Sequence, residues 1–264
     1  VSSSRLRLLA IALAGALICV SVPAAGAAGQ IVSAGGQRQW LDCQGSGSPT
    51  VVISSGLNAD HRMWRRVLPE LRRITRTCIY DRPGLGSSPS RQGSSVTDAG
   101  QHATELRALL AAAGEHGPYV LVAHSYAGLI ARAYAAQDSS DLAGMLLIDA
   151  VFPGIQRTYT SSYRGNWHEG GTTINMNASE RAAHGGPDLG ALPLIVLTAG
   201  SAHPAGANDQ RWNAEQSKAA ALSSNSLHWY DPKSGHVVQQ DDPAKVIGAV
   251  RRLVSAVRAG TTLS

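Results

Sequence analysis

The chain has 264 residues, 44% of them hydrophobic and 16% charged, with a formal net charge of +5. This length and apolar content suit one large α/β domain or two small ones, and exclude whole-chain disorder, coiled coil and collagen. The basic residues are almost all arginine and are scattered, apart from Arg65–Arg66 and Arg72–Arg73, so neither a basic stripe nor a reading motif points to nucleic acid.

In chain order, the first segment reads as an export signal. Arg5 and Arg7 form a charged start and Leu8 to Val20 is an apolar run too short to span a bilayer. Pro23 then precedes the small-residue cleavage pattern Ala25-Gly26-Ala27. Residues 1–27 are therefore expected to be removed, leaving a domain over 28–264 that is secreted or periplasmic. Ile18 before Cys19 argues against lipid attachment, so no stable membrane anchor is expected, and Arg5-Leu6-Arg7 is not a twin-arginine pair, so the general export route is expected. Two cysteines then remain, Cys43 and Cys78, each at the end of a predicted strand. In an oxidising compartment they are expected to form a disulfide between neighbouring strands, closing a loop of about 35 residues and contributing roughly 2–4 kcal/mol. No His or Cys stands near them at metal-ligand spacing, and no metal site is expected.

Ile31 to Cys43 reads as two short strands about a Gly35-Gly36 turn, and Thr50 to Ser54 as a strand buried on both faces. Trp64, Val67, Leu68 and Leu71 recur at helical spacing, and Thr77 to Tyr80 is the next strand. A helix over about Val96–Ala113 follows, then a strand Tyr119–Ala123, a helix Tyr126–Gln137 and a strand Met145–Ile148. Residues 152–190 break this rhythm with a Gly-, Ser-, Thr-, Asn- and His-rich stretch. Alternation resumes with a strand Leu192–Leu197, a helix near Gln210–Leu222, a strand Leu227–Tyr230 and a closing helix Pro243–Val257. Strands alternating with helices predict an α/β fold, a mostly parallel sheet with helices on both faces, and the irregular stretch reads as a short cap insertion over one end of it.

The sharpest chemical signal is Tyr119-Val120-Leu121-Val122-Ala123-His124-Ser125-Tyr126-Ala127-Gly128. An apolar strand runs into small-x-Ser-x-small and then into a helix, the context of a nucleophile elbow that lifts a serine hydroxyl above the sheet edge. The usual pattern has glycine at both flanks, where this chain has Ala123 and Ala127. The Tyr126 amide, at the helix start, would face a developing oxyanion.

Here the chain resembles the α/β-hydrolase superfamily, from about Gln37 to Val257. Ser54-Ser55-Gly56-Leu57 lies where those proteins carry a Gly-containing oxyanion loop. Tyr80-Asp81-Arg82-Pro83-Gly84-Leu85-Gly86 looks like a structural turn of the family, Leu146-Leu147-Ile148-Asp149 ends a strand with a carboxylate, and Ser234-Gly235-His236 follows the last strand. The resemblance implies an eight-stranded sheet, Ser125 as nucleophile, His236 as base, and Leu57 with Tyr126 as amide donors to the oxyanion. Of the nine histidines, His124 sits inside the elbow and is expected to pack, while His168, His184 and His203 fall in loops. The acid follows the sixth or seventh strand of such a sheet. Asp149 is the expected residue, with Asp209 and, more remotely, Asp231 as alternatives. Asn58 could add a side-chain donor or be a turn asparagine, and Ser55 stands where relatives often have histidine.

The favoured function is hydrolysis of a small-molecule carboxylic ester by an acyl-enzyme route without metal or organic cofactor. The same triad would serve an amidase or peptidase, or a cofactor-free peroxidase-like activity, and the fold also hosts non-catalytic ligand binders. Phe152 and Trp167 are the expected substrate-contacting side chains, with Tyr163, Ile174 and Met176 as further apolar positions of the insertion. Its scarcity of aromatics points to a small or medium ester.

Overall fold

The computed structural model describes residues 29–158, 165–184, 188–201 and 207–263, with the backbone alone at 207–209. The export signal, Tyr163 and His203 lie outside the described residues, as does the side chain of Asp209.

Two short antiparallel strands, β1 (Gln30–Ala34) and β2 (Gln37–Gln44), open the fold about the Gly35-Gly36 turn. Strand β3 (Thr50–Ser54) is buried throughout, and leads through a 3₁₀ turn at His61–Trp64 into helix α1 (Leu68–Ile74). Next come β4 (Thr77–Asp81), a two-residue β5 (Val96–Thr97) and α2 (Ala99–Ala112). The helix expected from Val96 instead begins at Ala99, because the Asp98 side chain caps it by accepting from the Gln101 amide, which leaves Val96–Thr97 extended.

Strand β6 (Tyr119–His124), α3 (Ala127–Gln137) and β7 (Leu142–Ile148) form the centre. The insertion then contributes a short α4 (Ile155–Thr158), the hairpin β8 (Trp167–Glu169) and β9 (Thr172–Ile174), and α5 (Met176–His184). The chain closes with β10 (Leu194–Ala199), α6 (Ala207–Ala220), β11 (Ser226–Asp231), a single turn α7 (Val238–Asp241) and α8 (Pro243–Ala259).

Eight strands form one sheet in the order β1-β2-β4-β3-β6-β7-β10-β11. The pairs from β4 to β11 are parallel, and β2 runs antiparallel to both of its neighbours. Alternation along each strand divides the core. Val52, Leu121, Met145, Leu147 and Val196 pack on one face, toward α2 and α3. Val51, Ile53, Val120, Val122, Leu146 and Ile195 pack on the other, against Trp64, Leu71, Val250 and Leu253 of the 3₁₀ turn, α1 and α8. Both faces are therefore covered, which is why the central strands read as unbroken apolar runs.

Cys43 and Cys78 stand directly opposite each other in the β2–β4 ladder and are joined by a disulfide. The pairing locks the register of the one antiparallel strand inside an otherwise parallel array.

The insertion is anchored rather than draped. Helix α5 packs on α2 and α3, with Ser179 Oγ accepting from the Ala99 amide and the Ala183 carbonyl accepting from Arg132 Nε. The β8–β9 hairpin adds β5 to make a three-stranded sheet of its own.

Candidate active site

Strand order reverses between β3 and β6, since the chain steps from β3 outward to β4 and later returns to pair β6 on the other side. Open α/β sheets bind ligands outside the carboxyl ends of their strands at such a switch point. Ser125 follows β6 there, and the Ser55-Gly56-Leu57-Asn58 loop follows β3.

Ser125 adopts φ 54°, in the left-handed region that L-residues avoid. Its amide donates to the Ile148 carbonyl at 3.1 Å, and its carbonyl accepts from the Gly128 and Val151 amides, both at 2.9 Å. These bonds hold the tight turn, and the small side chains of Ala123 and Ala127 leave room for it. Among the described residues, the non-glycine positions with positive φ are Asn58, Ser125 and Asp149, and all three border this site. Strain of this kind persists only where surrounding bonds over-determine it.

The structure brings Ser125, His236 and Asp149 into one chain of contacts. His236 Nε2 lies 2.9 Å from Ser125 Oγ, and His236 Nδ1 lies 2.6 Å from Asp149 Oδ2. Asp149 is fully buried at the end of β7, and its other oxygen accepts from Trp212 Nε1 at 2.7 Å and from the Ala199 amide at 3.3 Å. The lone pairs of the carboxylate are thus met by donors on three elements, which compensates its burial. Asp231, the remote alternative, is occupied elsewhere: it accepts from the Ser234 hydroxyl and from the Lys233 amide, shaping the loop that carries His236.

His124 packs beside the site. Its Nε2–H donates to the His236 carbonyl at 2.7 Å, so Nδ1 is left as a bare buried acceptor. Burial holds its pKa down at about 4, and the ring is neutral at ordinary pH. Gly56 abuts it so closely that a Cβ there would stand 2.8 Å from His124 Nδ1 and 3.1 Å from Ser125 Cβ. The loop after β3 approaches the serine because position 56 has no side chain.

Leu57, Ser125, Val151, Trp167, His168, Trp212 and His236 line a cavity of about 390 Å³. Trp167, expected to contact substrate, is therefore on its wall. Phe152 is not: it is buried behind the wall with its ring 5.5 Å from that of Trp212. The strand exit alternates sides, so Val151 faces the cavity and the larger neighbour faces away. Ile174 and Met176 are likewise core residues. His168 and His184, expected in loops, lie on β8 and at the end of α5, and Trp212 carries no motif in the sequence. The only aromatic on a polar helix was the available signal for Trp212.

Beneath the loop after β3 lies a buried ion pair. Arg82 Nε and Nη2 donate to the two oxygens of Glu169 at 2.6 and 2.7 Å, and both side chains are 2% exposed. Burial alone would raise the Glu169 carboxyl. The charge of Arg82 and the hydrogen bonds from it outweigh that burial and hold the group below the usual carboxylate range. Ser55 Oγ, at the position where histidine was noted, accepts from Trp64 Nε1 at 3.0 Å. Asn58 Nδ2 donates to the His168 carbonyl at 3.0 Å, so this asparagine bridges to the insertion.

Among the described residues, one group of His, Cys, Asp and Glu is close enough to hold a metal, namely Cys43, Cys78 and Glu115. Its sulfurs are already bonded to each other, so that group lacks the thiolates a metal would need.

A profile of the alpha/beta hydrolase fold matches residues 49–230. Over 212 residues the chain is 29% identical to the uncharacterized protein YqjL of Bacillus subtilis, covering 76% of this chain and 81% of that one. A thermophilic esterase from Thermogutta terrifontis superposes with a TM-score of 0.63 at 20% identity, over 88% of this chain and 99% of the other. A putative aryl esterase from Burkholderia cenocepacia gives a TM-score of 0.66 at 20% identity, over 88% of this chain and all of the other (100%). At that identity the two structures are likenesses of fold. Together with the profile match over most of its length, the sheet order and the elbow, they establish that the chain belongs to the α/β-hydrolase fold family.

Proposed function

We propose that this protein is a serine hydrolase that cleaves carboxylic esters through an acyl-enzyme on Ser125. The observation that carries the reading is the continuous relay from Ser125 Oγ through His236 to Asp149, at 2.9 and 2.6 Å, opening into a cavity walled in part by Leu57, Val151, Trp167 and Trp212.

In this mechanism Ser125 Oγ attacks the ester carbonyl carbon as His236 Nε2 takes its proton. Asp149 keeps the imidazole in the tautomer with hydrogen on Nδ1 and stabilises the imidazolium. The carbonyl oxygen becomes an oxyanion, facing the amides of Leu57 and Tyr126. Among the described residues neither N–H has another acceptor, and such preset donors act where charge develops. The tetrahedral intermediate collapses as His236 returns the proton to the departing alkoxide oxygen. Water, deprotonated by His236, then attacks the acyl carbon, and the acid leaves with Ser125 regenerated.

Trp167, Trp212, Val151 and Leu57 supply the apolar contacts for a small or medium acyl or alcohol group. We further infer export, from the leader-like residues 1–27 and the Cys43–Cys78 disulfide, which suits an oxidising compartment. No helix among the described residues is long and apolar enough to cross a membrane.

The test is hydrolysis of p-nitrophenyl acetate, butyrate and decanoate by the protein from residue 28 onward and by its Ser125→Ala variant. Turnover of the two shorter esters, absent from the variant, supports the reading. A folded wild type inert toward all three, or equal rates in the two proteins, overturns it.

A further inference from the structure

We propose that the buried Arg82–Glu169 pair positions the Leu57 amide as an oxyanion donor, so that the insertion takes part in transition-state stabilisation as well as in shaping the cavity. This rests on the serine-hydrolase reading above.

The Leu57 N–H belongs to the same peptide unit as the Gly56 carbonyl. That unit is trans, since the cis bonds are Ser48–Pro49 and Gly117–Pro118, and in a trans peptide N–H and C=O point in opposite directions. Whatever grips the Gly56 oxygen therefore aims the Leu57 hydrogen. Arg82 Nη2 donates to that oxygen at 2.7 Å, and Nη1 donates to the preceding carbonyl, Ser55 O, at 2.6 Å. The next peptide unit is held too, because the Asn58 amide donates to Glu169 Oε2 at 3.2 Å. Leu57 thus lies between two peptide units, one fixed by each member of the ion pair. A cation on the Gly56 carbonyl also polarises the unit and strengthens its N–H as a donor.

The second donor residue is in reach of the same guanidinium, whose carbon lies 5.5 Å from the centre of the Tyr126 ring. Glu169 comes from the insertion hairpin, whose turn presses directly on the turn after β4. A Cβ on Gly84 would stand 2.3 Å from the Gly170 carbonyl oxygen, and one on Gly170 would stand 2.8 Å from Gly84 C. Two facing glycines let the hairpin come near enough for Glu169 to reach Arg82. Stability by itself does not require the pair, because well-packed apolar residues commonly replace a buried ion pair without loss. Orientation of a forked donor on two successive carbonyls does require an arginine.

The test compares wild type, Glu169→Gln and the double variant Arg82→Met/Glu169→Leu. For each, kcat and KM on p-nitrophenyl butyrate, the thermal midpoint, and inhibition by an alkyl trifluoromethyl ketone are measured. The hemiketal oxyanion of that ketone would occupy the space facing the Leu57 amide. The expected result for the double variant is a near-wild-type midpoint with kcat reduced about 10- to 100-fold and KM changed less than about threefold, the ketone weakening in parallel. Glu169→Gln should show the same pattern at smaller size, and it decides the matter if the double variant does not fold. Wild-type kcat and ketone affinity in a folded variant would overturn the proposal. Failure of the underlying reading is separate, since it appears as Ser125→Ala retaining wild-type turnover.

Discussion

The floor and the mouth of the cavity are built on different principles. The floor is made of strand ends: Ser125 follows β6, Asp149 follows β7 and His236 follows β11, and each is fixed by backbone ladders and buried donors. The mouth is made of side chains that arrive from far along the chain, Trp167 and His168 from the insertion and Trp212 from α6. On the proposed function, chemistry, which needs sub-ångström placement, falls on the sheet, and selection of substrate, which tolerates more freedom, falls on the connections. Two residues cross this division: Trp212 lines the cavity while its Nε1 donates to Asp149, and Glu169, next to His168 on β8, reaches under the floor to Arg82.

Altering the floor should have the largest effect. In Asp149→Asn, the Trp212 and Ala199 N–H groups at Oδ1 pin the amide oxygen on their side, so its NH₂ faces His236 Nδ1. The imidazole is then forced to carry hydrogen on Nε2, where it cannot accept the Ser125 proton. The expected outcome is a loss in kcat of about 10⁴-fold with KM nearly unchanged. A loss under tenfold would mean that another carboxylate, Asp209 first among them, does this work.

Acid should reveal two buried histidines behind the floor, His124 of the elbow and His102 of α2, whose Nδ1 lies 3.1 Å from the Tyr126 hydroxyl. His102 and His124 are held neutral by burial, with pKa values near 3 and 4 against the ordinary 6.5. Their folded pKa values are depressed, so from about pH 6.5 downward the unfolded chain binds protons that the folded chain refuses. Stability falls with falling pH, by up to about 3 kcal/mol per unit for the two groups together until about pH 4, and below that only the His102 share continues. Thermal midpoints measured from pH 7.5 to 4.5 should drop on this course. His102→Asn, whose amide can still meet the Tyr126 hydroxyl, should roughly halve the slope. A flat profile would show that these rings are not buried in the neutral form.

The smallest effect is expected at the mouth. Trp167→Ala should raise KM for p-nitrophenyl butyrate several-fold, about 1 kcal/mol of lost apolar contact, with kcat within about twofold. A fall in kcat as large as that for Asp149→Asn would erase the distinction between floor and mouth.

The same division governs what the sequence disclosed. Continuous apolar runs marked the central strands and the strand-turn-helix passage marked Ser125, because local chemistry imposes both, whereas His236 among nine histidines was legible through the resemblance to the α/β-hydrolase superfamily. Asp149 was ambiguous with Asp209, since a carboxylate at a strand end and one beyond the next strand satisfy the same local rules. Phe152 was assigned to the wall although Val151 occupies it, because which side of a strand exit faces the cavity depends on the strand's partners. Arg82 and Glu169 lie 87 residues apart, and no local pattern links them. The two-residue β5 was absorbed into a predicted helix for the same reason, as its partner is in the insertion.

The most direct measurement on the central claim is covalent capture by an alkyl fluorophosphonate. Ser125 Oγ would attack phosphorus, fluoride would leave, and the protein would gain one phosphonyl group. Intact mass and peptide mapping should give one label per chain, on the peptide containing Ser125, and none on Ser125→Ala. A folded protein that stays unlabelled, or a label that persists in the variant, would contradict the account.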